Sequence, residues 1–151
     1  MLKLDVCISD YGALAKTLRG IDFFEPLTVG QLDEVLPYVN LYDCEPGETI
    51  FKQGDPGDAL YVIYRGRVTV RTGESFFSNG KVVSELGPGA FFGEIALLDQ
   101  GPRTATVVCE ESTQLFALIA CDFQFVLKSN PALAEQMKRI AERRKFNTAR
   151  D

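Results

Sequence analysis

Phe92-Gly93-Glu94-Ile95-Ala96-Leu97-Leu98-Asp99-Gln100-Gly101-Pro102-Arg103-Thr104-Ala105-Thr106-Val107 sets the Glu94 carboxylate and the Arg103 guanidinium on either side of a short apolar turn. Gly93 lets the backbone bend sharply or come close to a ligand. Glu94 to Leu98 is long enough for one or two helical turns but too short for a free-standing helix. Such a turn exposes its first N–H groups, which with the helix dipole make a local anion site. Arg103 can return to that site as a planar, permanently charged fork suited to phosphate. Glu94 fits poorly as a phosphate ligand and well as an acceptor for a sugar hydroxyl, so the pair reads as a receptor for a phosphorylated ribose. Pro102 fixes the approach to Arg103, and the β-branched Thr104, Thr106 and Val107 carry the chain into a strand. The competing reading is a strand, a turn and a strand with an incidental surface Glu and Arg.

The stretch resembles the phosphate-binding cassette of the cyclic-nucleotide-binding domain family, in which Phe-Gly-Glu and a few apolar residues lead through a short loop to Arg, a small residue, Ala and Thr. The likeness continues upstream through Gly47-Glu48, Ile50, Gln53-Gly54, Tyr61-Val62-Ile63, Gly66 and Val68, and with the flanking helices it covers residues 18–146. It implies an α+β fold: an antiparallel double-stranded β-helix, a jelly-roll-like β-roll, flanked by N-terminal helices and two C-terminal helices. One domain in three parts follows, an N-terminal helical segment 1–38, the β-roll 39–120 with its cassette 92–107, and the C-terminal helices 121–151. Carried over residue by residue, the resemblance implies that Gly93, Ile95 and Ala96 present backbone N–H groups and that Glu94 accepts the ribose 2′-OH. Arg103 would clamp the cyclic phosphate and Thr104 would add a hydroxyl to it, with Phe92 and Ala105 in the same cassette. The implied ligand is cyclic AMP or cyclic GMP, with no further cofactor, no metal and no catalysis.

Composition is consistent with this reading. The chain has 151 residues, enough for one domain with a sizeable core; 46% are hydrophobic and 25% charged, as in ordinary soluble proteins. A net charge of −5 argues against general nucleic-acid binding. Residues 138–151 nonetheless hold six Lys and Arg against two Asp and Glu, which reads as a solvated helix end matched to its dipole. Cys7, Cys44, Cys109 and Cys121 show no C-x-x-C spacing, and the chain has no His, which speaks against a zinc site. Cys109 and Cys121 lie in apolar surroundings and are expected to pack as small hydrophobes, pointing to a reducing, cytoplasmic setting. Met1 to Ile8 has no cleavage pattern and no stretch approaches a membrane span, so the chain is expected to be soluble as it stands, whether alone or as a domain of a membrane protein.

Periodicity places the elements. Tyr11, Leu14, Leu18 and Ile21 predict a helix within 10–24 with Asp10 as its cap. Thr28 caps a second helix, Val29 to Tyr38, whose apolar face is Val29, Leu32, Val35 and Leu36, with Pro26 between the two. The Phe23-Phe24 pair reads as core or hinge packing. From Val39 the pattern changes to short strands between turn residues such as Pro46-Gly47, Gly54-Asp55-Pro56-Gly57, Gly66 and Gly87-Pro88-Gly89, and residues 74–80 read as a mobile hairpin tip. Six or more such strands imply a closed or sandwiched antiparallel sheet. Gln114 to Ile119 is the last strand, and Cys121-Asp122 opens a helix through Lys128. Asn130-Pro131 starts the final helix, with Leu133, Met137, Ile140 and Ala141 as its apolar stripe and a frayed tail from Phe146.

The last helix resembles that of bacterial cyclic-nucleotide-gated channels, where an arginine covers the purine; Arg143 is the first candidate here and Arg144 the second. A jelly-roll enzyme of the cupin type shares the strand pattern but relies on a histidine-rich metal site. A catabolite-activator-type transcription factor would continue into a helix-turn-helix of about 60–80 further residues, so the chain as written is not expected to read DNA. A docking module that has lost its nucleotide is at odds with an intact Glu94 and Arg103. Thr104 beside the arginine is as in cyclic-GMP-dependent kinases, yet bacterial relatives with a hydroxyl there take cyclic AMP, which is the favoured ligand. The expected partners are the cyclic mononucleotide and either a second copy of the chain or an effector protein.

Overall fold

Apolar runs cut short by turn residues become nine strands among the described residues: β1 (Leu2–Leu4), β2 (Val39–Cys44), β3 (Thr49–Phe51), β4 (Ala59–Arg65), β5 (Val68–Thr72), β6 (Lys81–Leu86), β7 (Phe91–Phe92), β8 (Thr106–Cys109) and β9 (Thr113–Ile119). The structure, a computed structural model, describes residues 1–5, 8–20, 24–25, 27–73, 80–93, 101–128 and 130–150, with backbone alone for 8–10, 125–126, 141 and 144–150. One sheet has the order β1-β2-β9-β4-β7 and the other β3-β8-β5-β6, with every pairing antiparallel. The turn from β4 to β5 is closed by Gly66, whose φ is +100° and where a Cβ would collide with Thr113 Oγ1 and sit 2.6 Å from the Ser112 carbonyl oxygen. A side chain at this position has no room and an unfavourable backbone.

Period-two alternation in the larger sheet makes two cores. Leu60 and Val62 of β4 face one way, opposite Leu118 and Phe116 of β9; Tyr61 and Ile63 face the other, opposite Ala117 and Leu115. The second set meets Val68, Val107 and Cys109 of the smaller sheet and fills the inside of the roll. The first set is covered by helices. A strand buried on both faces reads as an unbroken apolar run, which is how Ala59 to Ile63 looks in the sequence.

Among the described residues the helices are α1 (Ile8–Arg19), α2 (Val29–Val35) with a 3-10 turn Leu36–Tyr38, α3 (Ala120–Lys128) and α4 (Pro131–Arg150). Leu14 and Leu18 of α1, Leu32 and Val35 of α2, Phe123 and Leu127 of α3, and Leu133 and Met137 of α4 converge on the outer face of the larger sheet. Thr28 caps α2 through a complete capping box: its hydroxyl accepts from the Gln31 amide at 3.2 Å, and the Gln31 side chain accepts from the Thr28 amide at 2.8 Å. Asn130 Oδ1 accepts from the Leu133 amide at 3.1 Å, and Pro131 is the first residue of α4. The architecture is therefore the α+β β-roll with flanking helices.

Several local expectations are revised. α1 begins at Ile8, two residues before Asp10, and ends at Arg19. Val29, the first residue of α2, is exposed, since it is the later positions Leu32 and Val35 that reach the core. Cys121 is exposed, while Cys44 and Cys109 are buried, since Ala120, Phe123 and Leu127 fix the phase of α3 and turn residue 121 outward. The backbone of α4 is helical to Arg150 instead of fraying from Phe146, because a run rich in Ala, Glu, Lys and Arg favours helix. The N-terminal segment also contributes β1, three residues too short to carry a periodic signal. No helix among the described residues is long and apolar enough to cross a membrane. Ile21, Phe23, Pro26 and, of the expected tip 74–80, residues 74–79 lie outside the described residues.

Candidate functional site

Arg103 reaches the site from a short irregular stretch ahead of β8. Its amide donates to the Asp55 carbonyl at 2.7 Å, its carbonyl accepts from the Gly54 amide at 2.8 Å, and the Gly57 amide donates to the Gly101 carbonyl at 3.0 Å. Pro56 and Pro102 face each other in the bridge these bonds make. Neither proline has an N–H to offer, so its neighbours make the bonds and the turn at 54–57 grips residues 101–103. Immediately before this turn, the Gln53 amide donates to Thr106 Oγ1 at 2.9 Å.

From this anchored backbone the side chain runs inward, leaving the residue 8% exposed. Nη2 donates to the Ala59 carbonyl at 2.8 Å and lies 3.6 Å from Asp58 Oδ1. The Asp58 carboxylate is mostly in solvent, so it steers the guanidinium more than it stabilises the fold. Cζ lies 4.1 Å from the centroid of the Phe51 ring and 5.9 Å from that of Tyr61. A buried guanidinium needs such partners, because charge taken out of water is tolerated only when hydrogen-bonded or otherwise compensated. Burial raises the Tyr61 phenol above its usual pKa; the Asp58 carboxylate pushes the same way and Arg103 opposes.

Gly93 closes the other side. Its φ is +78°, and a Cβ there would be 2.6 Å from Arg103 Nη1 and 3.0 Å from the Ala59 oxygen. The missing side chain is thus what allows the guanidinium and the β4 backbone to approach the start of the cassette. Phe92, on β7, stacks on Tyr61 at 5.4 Å and 19° and meets Phe51 at 5.8 Å, so its ring serves the interior packing that holds Gly93 in place. Thr104 is exposed and Ala105 half-buried beside the arginine. Glu94, Ile95 and Ala96 lie outside the described residues, as do the side chain of Arg144 and the short helix expected at Glu94 to Leu98. Arg143 is exposed on α4, whose Leu133 and Met137 belong to the helix-side core and not to the interior around Phe92.

Three contributors were not found from the sequence: Phe51, Tyr61 and the Ala59 carbonyl. Gly54-Asp55-Pro56-Gly57 marked a turn, yet nothing local says that the residues on either side of it converge on Arg103. One further bond links the site to the helices. The Ala120 amide, at the start of α3, donates to the Asp58 carbonyl at 2.8 Å, one residue from the carbonyl that holds Arg103. Together, a buried guanidinium, a side-chain-free backbone and an aromatic wall suit the grip of a phosphate.

Comparison with known proteins agrees with this geometry. The profile of the family described as "Cyclic nucleotide-binding domain" matches residues 43–130. The chain is 34% identical over 128 residues to the cyclic AMP receptor protein of Thermus thermophilus, covering 84% of this chain and 58% of that protein. It is also 34% identical to a cyclic nucleotide-gated potassium channel of Mesorhizobium japonicum, over 85% of this chain and 34% of the channel. The chain thus spans less than two thirds of the length of these relatives. Among solved structures, the N-terminal domain of a transcriptional regulator from Streptomyces coelicolor superposes with a TM-score of 0.72 at 33% identity, covering 87% of this chain and 94% of that one. With a family profile over more than half of its length, close relatives along most of it and an arginine buried where the cassette returns to the roll, the chain belongs to the cyclic nucleotide-binding domain family.

Proposed function

We propose that this chain is a non-enzymatic sensor that binds a cyclic mononucleotide, cyclic AMP in preference to cyclic GMP, and passes the event on by moving α3 and α4. The observation that carries the reading is Arg103: a permanent charge 8% exposed, fixed by the Ala59 carbonyl and the Phe51 ring beside a glycine that has no room for a side chain. Arg103 takes the cyclic phosphate, with Thr104 adding a hydroxyl. Glu94 accepts the ribose 2′-OH, and the amides of Gly93, Ile95 and Ala96 face the phosphate, with Phe92 and Ala105 shaping the cassette. Residues 1–38, 39–120 and 121–151 work as one unit, with the purine covered by Arg143 or, failing that, Arg144. The exposed position of Arg143 supports a helix that must move to do this. Cyclic AMP is favoured by the likeness to a cyclic AMP receptor protein and by the channel-like last helix. The exposed Thr104 supports a second reading, selectivity for cyclic GMP through the guanine amino group. The effector is a second copy of the chain, another domain or a separate protein. Calorimetric titration of the purified chain with both nucleotides tests this: tighter binding of cyclic AMP is expected, tighter binding of cyclic GMP selects the second reading, and no heat with either removes both.

A further inference from the structure

Phe51 ends β3, and among the described residues its ring is the nearest aromatic surface to the Arg103 guanidinium, at 4.1 Å from Cζ against 5.9 Å for Tyr61. The backbones of the two residues are tied together. Phe51 is in register with Val107 of β8, the Gln53 amide bonds Thr106, and the Gly54 amide bonds the Arg103 carbonyl. The ring is therefore carried to the arginine by the same ladder that carries the arginine into the roll. It is backed in turn by Tyr61 at 6.0 Å and Phe92 at 5.8 Å, so it has little freedom to tilt away.

The contacts of the guanidinium divide the work of orienting it. The Ala59 carbonyl fixes Nη2 along one direction, and Gly93 lets Nη1 close in from another. These contacts, and the exposed Asp58 carboxylate 3.6 Å from Nη2, act on the nitrogens at the edge of the guanidinium, so the face of the plane needs a partner of its own to set its tilt. An aromatic face at this distance does so, because the ring quadrupole attracts the cation and a stacked guanidinium maximises the contact. With the residue only 8% exposed, water neither screens that attraction nor competes for it. An aliphatic side chain of similar bulk would fill the space without supplying the attraction. A guanidinium whose plane could tilt would have to be ordered at each binding event, at the expense of affinity.

We propose that Phe51 is a positioning residue for phosphate recognition, holding the Arg103 guanidinium by a buried cation–π stack in the orientation that receives the phosphate of a cyclic nucleotide. The assignment rests on the nucleotide-binding function proposed above. It makes the aromatic character of position 51, and not its volume alone, a determinant of affinity.

The test compares Phe51→Leu and Phe51→Tyr in the full chain by two measurements. In proton–nitrogen NMR spectra without ligand, the Arg103 Nε–H resonance, identified by its loss in Arg103→Lys, is expected upfield through the ring current in the parent and in Phe51→Tyr, and at an ordinary position in Phe51→Leu. In calorimetric titration with cyclic AMP and cyclic GMP, Phe51→Leu is expected to lose about 3- to 30-fold in affinity, while Phe51→Tyr stays within about twofold of the parent. If Phe51→Leu does not fold, Phe51→Met carries the same comparison. Leu titrating like the parent, or Leu and Tyr losing equally, overturns the positioning role and leaves nucleotide binding intact. A parent that binds neither nucleotide overturns the functional reading and this assignment with it.

Discussion

Because water reaches so little of Arg103, its removal should be felt in binding before it is felt in folding. Truncating a desolvated charge that grips phosphate costs about 2–5 kcal/mol, a loss of about 30-fold or more in affinity, so Arg103→Ala is expected to fail that badly in nucleotide titration while still unfolding cooperatively. Arg103→Lys should bind poorly as well, since an ammonium reproduces neither the fork nor the stack on Phe51. A parent-like titration of Arg103→Ala would remove the assignment of the phosphate site. Gly93 makes a complementary case. At φ +78°, an alanine costs about 1–2 kcal/mol of backbone strain, and its methyl falls 2.6 Å from Arg103 Nη1. Gly93→Ala is thus expected to lower stability by that amount in urea unfolding and to lower nucleotide affinity by at least about tenfold, because the guanidinium must shift to make room.

Between the strands of the smaller sheet, Glu110 just after β8 shows how an element secures its outer face. Its carboxylate accepts from Thr69 Oγ1 at 2.7 Å and from Arg71 Nη2 at 2.9 Å, both on β5, while Arg71 Nε donates to the same Thr69 hydroxyl at 3.1 Å. The Thr69 hydroxyl, then Arg71, hold the Glu110 carboxyl below its usual pKa. A carboxyl lowered in the folded state adds stability that is full above its unfolded value, near 4.3, and is lost as the pH falls through the folded one. Glu110→Gln should therefore be less stable than the parent in urea at pH 7, with the gap narrowing by about pH 3; an equal gap at both would exclude the linkage. The sequence disclosed elements wherever their signals are local. Thr28 and Gln31 are three residues apart, Asn130 and Pro131 adjacent, and the Gly93 and Arg103 pattern lies within one cassette. It did not disclose β1, whose only reason to be a strand is its partner β2, nor the outward turn of Cys121, which is set by what α3 packs on. Phe51 and Ala59 stayed hidden for the same reason: their contacts with Arg103 span more than forty residues and exist only once β3 has paired with β8 and the smaller sheet has met β4 of the larger one.

On the scale of the whole molecule, the larger sheet is a wall one strand thick, with the arginine site on one side and α1 to α4 on the other. α4 is held to that wall by Leu133 and Met137, and Ile140 packs against the same core, whereas Glu142 and Arg143 beyond it are exposed. If ligand favours a docked last helix, amide exchange should slow across residues 132–146 on adding cyclic AMP, and an Arg143→Ala, Arg144→Ala double substitution should abolish the slowing and part of the affinity. Slowing confined to residues 92–107 would mean binding without a message through the C-terminus. The wall also has a crossing point. Neighbouring carbonyls on one bend of chain hold opposite sides, that of Ala59 the arginine and that of Asp58 the first amide of α3, and the next side chain along α3 is the exposed thiol of Cys121. With Cys44 and Cys109 sealed in the interior and Cys7 replaced by serine, a thiol-reactive dye would attach there, on the helix side of the sheet that separates it from Arg103, and the domain would become its own optical gauge of cyclic nucleotide concentration.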